Sequence, residues 1–110
     1  MNLLRKMIAY KLFRKRKDQT LGPLFINKRQ VIVLNQWLEA EEHQTNGYAF
    51  RPGWHCCVKP FAPHLSEKDR AWYKVEIENY EFFTRPESQG GVWVLAQRMK
   101  ALEEINKEVN

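Results

Sequence analysis

VWVLAQRMKALEEINKEVN occupies residues 92–110, and its reading decides the fold class. Val92, Leu95, Met99, Leu102, Ile105 and Val109 recur at steps of three and four, the spacing of one helix face. The segment therefore predicts an amphipathic C-terminal helix. Its VWVL start also fits a strand ahead of a shorter helix.

The rest of the chain reads as strands and turns. Tyr10, Leu12 and Arg14 alternate with Lys11, Phe13 and Lys15, and the polar run KRKDQT follows. LGPLFIN carries Pro23, which lacks a ladder N–H and places the run at a sheet edge. QVIVL is the strongest β-branched run. In NQWLEAEEHQTNGYAF, Trp37 and Leu38 suit a short helical turn, and Asn46-Gly47 marks a tight one. Pro52-Gly53 has type II turn chemistry, with Gly53 at the positive-φ position. WHCCV then places Trp54, Cys56 and Val58 on one face and His55 and Cys57 on the other, until Pro60 and Pro63 end it. A turn at 66–69 leads to a strand in which Ala71, Tyr73, Val75 and Ile77 alternate with Trp72, Lys74, Glu76 and Glu78. TRPESQGG is a loop. These elements sum to one α+β domain over residues 1–110: a mostly antiparallel sheet of about five strands with one C-terminal helix packed on a face.

Composition is consistent with a single packed domain. The 110 residues are 44% hydrophobic and 13% aromatic, enough for one core, and Trp37, Trp54, Trp72 and Trp93 are spread along it. Cys56 and Cys57 are adjacent and poorly placed to bridge each other, so a reducing compartment is expected. Arg5, Lys6 and Lys11 interrupt the apolar N-terminal runs, so no signal peptide is read there. No stretch approaches the roughly 20 apolar residues of a membrane span. Charge is uneven: residues 1–30 hold nine Lys/Arg against Asp18 alone, whereas the remainder is net acidic.

Three places invite chemistry. FRPGWHCCVKPFAPH (50–64) gathers His55, Cys56, Cys57 and His64, with His43 upstream. It has no C-x-x-C or H-x-x-x-H clamp, so no metal is expected. Cys57 beside His55 has the residue types of a nucleophile pair but no third group to orient the histidine. Ser66 and Ser88 lack a nucleophile elbow. Arg51, His55 and His64 are left as a ligand-binding trio without a structural duty. SQGG with Arg85 nearby is a minor anion site. Third, Lys11, Arg14, Lys15, Arg16, Lys17, Lys28 and Arg29 form a basic N-terminal stretch interleaved with Tyr10 and Phe13, a composition suited to nucleic acid or an acidic protein. No cofactor is called for.

GPLFIN, RPGWHCCVKPFAPHLS, AWYKVEI and RPESQGGVW resemble a family of small uncharacterised proteins encoded by phages and prophages of gut bacteria. The resemblance runs from about Tyr10 to Leu102 and implies a phage setting in the host cytoplasm rather than a mechanism. In order and type, Tyr10 or Arg14, then His55, then Glu76 is also similar to the ADP-ribosyltransferase-like folds, which implies an NAD-binding enzyme with His55, Glu76 and Tyr10 as catalytic candidates. Three functions follow as expectations: a non-enzymatic accessory protein that binds through its basic N-terminal strands, that enzyme, or a virion or assembly component with Trp72 exposed beside Glu76.

Overall fold

The computed structural model describes residues 5–24, 29–40 and 53–105. Among the described residues six strands form one antiparallel sheet: β1 (Lys6–Lys15), β2 (Leu21–Gly22), β3 (Trp37–Glu39), β4 (Trp54–Cys57), β5 (Arg70–Thr84) and β6 (Val92–Glu104). β1 pairs with β4 and β5, and β6 pairs with the same two strands, so β1-β4-β6-β5 closes into a ring. β2 extends the end of β1, and β3 continues the edge of β6 beyond β4. Closure removes most of the free edge that an open sheet would present.

The expected C-terminal helix does not form, and the α+β class is corrected to all-β. The described part of the segment is the 13-residue strand β6, and among the described residues the only helical element is the 3₁₀ turn Glu87–Gln89. The inward residues of β6 explain the misreading. Val94 and Ala96 are fully buried, and so are Met99 and Ala101. The step between the two pairs is three residues, not two, which imitates helical spacing. β5 makes the same change of face at Asn79, where φ is +52°: Ile77 points inward before it and Tyr80 packs on the interior after it. Register survives on both sides, with Glu78 opposite Arg98 and Tyr80 opposite Ala96, so the two long strands kink together. A second irregularity leaves Leu102 as an extra residue between Ala101, opposite Val75, and Glu103, opposite Lys74. The helix formers of this segment yield to ladders on both edges, as tertiary context commonly decides.

Two apolar clusters lie on opposite faces of the sheet. The interior one joins Ala9, Phe13, Trp54, Cys56, Tyr73, Val75, Ile77, Val94, Ala96 and Met99 from β1, β4, β5 and β6. The outer one joins Leu12, Cys57, Trp72 and Trp93 to Leu24 and Ala62, where connecting segments cross the sheet. Trp72 is thus buried and not an exposed ring beside Glu76. The expected alternations along β1 and β4 are present. The short helical turn expected at Trp37 and Leu38 is instead β3. QVIVL contributes a single bridge, Ile32 to Leu21, and Val31, Val33 and Leu34 remain exposed. Gly53 has the expected positive φ, +139°, while Pro52 lies outside the described residues.

Candidate nucleic-acid interface

The basic N-terminal residues are mostly committed to holding the fold. Lys11 shares the inward face of β1 with Ala9 and Phe13, and its Nζ donates to the His55 carbonyl at 2.7 Å. Burial lowers its pKa, with the neighbouring Cys56 and Cys57 opposing that shift. The Arg14 guanidinium donates to the Leu24 carbonyl at 2.9 Å. Arg16 reaches over β2 to donate to the carbonyls of Leu21 (3.2 Å) and Gln30 (2.6 Å). It passes so close to Gly22 that a Cβ there would lie 2.2 Å from its Nη2. Lys15 pairs with Glu104 at 3.0 Å. Lys17 and Arg29 are exposed, and Lys28 lies outside the described residues. Hydrogen bonds to carbonyls leave a guanidinium charged, so Arg14 and Arg16 still contribute to a positive field. Phe13 is fully buried and Tyr10 half-buried in the outer cluster, so neither is a stacking platform on an exposed strand.

Of the enzyme candidates, Tyr10 lies opposite Cys57, two residues along β4 from His55, but His55 and Glu76 lie apart. His55 lies opposite Leu95, which lies opposite Glu81, whereas Glu76 lies opposite Lys100. The His55 and Glu76 rows are therefore five residues apart along β5, about 16 Å of strand. Glu76 pairs with Lys100 at 3.3 Å. Cys56 and Cys57 are buried, and burial pushes their thiols up to about 11 and about 12, far from the thiolate a nucleophile needs. Among the described residues no three His, Cys, Asp or Glu side chains are grouped to hold a metal. The Ser66 hydroxyl accepts the Lys68 N–H at 3.1 Å, a local turn contact. Arg51 and His43 lie outside the described residues.

His55 and His64 do share one surface feature, through a chain of rings. His55 meets Phe83 edge-on at 5.8 Å, Phe83 lies 6.3 Å from Trp93, and His64 tilts over Trp93 at 5.9 Å. The Arg85 guanidinium sits 4.7 Å from the Trp93 ring and 5.6 Å from Phe83. Trp93 is the buried floor, and its indole N–H donates to the Gln89 carbonyl at 2.7 Å, tying it to the 3₁₀ turn. Beside this stack the segment after β4 presents Phe61, 47% exposed, with Lys59 Nζ 5.5 Å from its ring. The two halves touch at Gly90. A Cβ there would lie 2.9 Å from the Phe61 carbonyl and 3.1 Å from the Trp93 indole nitrogen, so only glycine lets the β5–β6 connection approach so closely. His64 is exposed, and slight burial together with the Arg85 charge lowers its pKa.

Charge distinguishes this face from the other end of the sheet. There Lys6, Glu78, Arg98 and Glu39 alternate across β1, β5, β6 and β3 in one register row, and Arg98 bonds both carboxylates. Lys6, Arg98 and Lys100 also surround the Trp37 ring at 5.6, 4.7 and 5.0 Å. Each of these three cations has an acidic partner. Among the described residues Lys59 and Arg85 form no ion pair. Unpaired cations beside an exposed ring are the chemistry of a polyanion site with a base to stack.

Sequence reasoning reached this surface through His64 and, as a minor site, Arg85. It missed Lys59, Phe61, Phe83 and Trp93 as partners, because the strand pairing that unites 58–66 with 83–93 is non-local. The adjacency of Lys59 and Phe61 was the available signal. Among the described residues no helix is long and apolar enough to cross a membrane. No family model, curated protein or solved structure matches the chain.

Proposed function

We infer that the protein is a non-enzymatic binding domain for nucleic acid, in keeping with an accessory role in a phage setting. The observation that carries this reading is the cluster of Lys59, Arg85 and His64 around Phe61, Phe83 and Trp93, with Lys59 and Arg85 in no ion pair among the described residues. The cations attract phosphates through counterion release, and the exposed Phe61 ring offers a face to a base. Arg14, Arg16, Lys17 and Arg29 add a positive field that speeds encounter. The N-terminal strands thus support binding without forming its contact surface.

Fluorescence anisotropy with a labelled oligonucleotide tests the reading. The double variant Lys59→Gln/Arg85→Gln is expected to bind at least about tenfold more weakly, with a shallower salt dependence, while its unfolding midpoint stays near that of wild type. Unchanged affinity overturns the reading, as does equal binding to a polyglutamate peptide.

A further inference from the structure

We propose that the ligand is single-stranded and that Phe61 is its stacking platform, a base lying on the open face of the ring while adjacent phosphates meet Lys59 and Arg85. This rests on the nucleic-acid reading above and narrows it to one class of ligand.

The ring is presented on a stiff support. The Phe61 N–H donates to the Lys59 carbonyl at 2.7 Å, and Ala62, the next residue, is buried in the outer cluster. The Ala62 carbonyl accepts the Leu65 N–H at 2.9 Å, which closes the turn carrying His64. Phe61 is therefore exposed on an anchored segment with glycine contact to the β5–β6 connection beneath it. A large apolar ring left open beside a cation forgoes burial that it would otherwise gain. Lys59 at 5.5 Å supplies a cation on the same short segment. Bases within a duplex already stack on both faces and have none to offer such a ring; an unpaired base does.

Phe82 is the natural comparison. It is more exposed, at 57%, but belongs to the opposite face of the β5–β6 ladder: Phe82 is opposite Val94, whereas Phe83 is opposite Trp93. Its ring contact is Tyr80, at 5.8 Å. Exposure alone does not select the platform. The Lys59 ammonium beside the ring, and the Gly90 contact that brings its segment against the turn leading into Trp93, do.

The test compares oligothymidine of about twelve nucleotides with a hairpin duplex of matched charge, by anisotropy at one salt concentration. Wild type is expected to favour the single strand. Phe61→Ala is expected to weaken single-strand binding about tenfold and leave duplex binding unchanged, with Phe82→Ala matching wild type. Equal losses on both ligands, or no loss with Phe61→Ala, overturn the single-strand assignment and leave the nucleic-acid reading standing. Duplex and single-strand binding that both survive Lys59→Gln/Arg85→Gln overturn the nucleic-acid reading itself. Wild type that binds neither ligand overturns both.

Discussion

Lys11 Nζ donates to the His55 carbonyl at 2.7 Å across the seam where the barrel closes. The ladder there has one registered pair, Tyr10 opposite Cys57, so a side-chain ammonium supplies a second link between β1 and β4. That link is made at the cost of holding an amine in an apolar setting beside Cys56 and Phe13.

The seam has a pH signature. Burial places the folded-state pKa of Lys11 below its ordinary 10.5. Between that lowered value and 10.5 the unfolded chain holds a proton that the folded protein has released, so Lys11's contribution to stability rises with pH. The stability gap between wild type and Lys11→Met, measured by urea unfolding from about neutral pH to about pH 10, is expected to move in favour of wild type. A gap that stays constant or moves the other way contradicts this.

Gly53 enters β4 at a φ of +139°, and a Cβ there would lie 2.6 Å from Leu95 Cδ1 and 3.2 Å from the Ala96 carbonyl. Gly53→Ala combines backbone strain with a clash against buried β6 and is expected to cost about 2 kcal/mol or more in urea unfolding. A loss below about 0.5 kcal/mol would show that the turn relaxes freely.

Glu78 is 2% exposed and held between Arg98 and Lys6. Removing the guanidinium with Arg98→Met leaves a buried carboxylate whose remaining cation is 3.8 Å away. Destabilisation of about 3 kcal/mol is expected, with Glu78→Gln in the same background recovering a large part of it. Failure of the double variant to recover stability would place the loss in Trp37 packing instead.

Cys56 and Cys57 are neutral, buried thiols. Iodoacetamide at about pH 8 is expected to modify them only as fast as the barrel opens, and readily in denaturant. Rapid native-state modification, without unfolding, would reopen Cys57 as a chemical group.

The sequence makes local alternation legible and long-range switching illegible. Tyr10, Leu12 and Arg14 against Lys11, Phe13 and Lys15 reads as a strand because β1 keeps one period throughout its paired length. β6 does not: the change of face between Ala96 and Met99 mirrors the one at Asn79 on β5, and neither strand alone reveals its partner. QVIVL carried the strongest propensity yet supplies one bridge, since β2 beside it is two residues long. The candidate surface was half visible for the same reason. His64 and the proline-rich run around it mark the right segment, but Phe83, Arg85 and Trp93 come to it from about 20 to 30 residues away through the β4–β6 and β5–β6 ladders.

The tryptophan indoles provide the most direct measurement. Titrating oligothymidine into ¹⁵N-labelled protein is expected to shift the Trp93 indole resonance and the non-proline backbone amides of 59–65 and 85–91, with the Trp37 indole, at the charge-balanced end, unmoved. Shifts centred on Trp37 and β3, or none at a saturating oligonucleotide concentration, would contradict the assignment of the aromatic, cationic face as the binding surface.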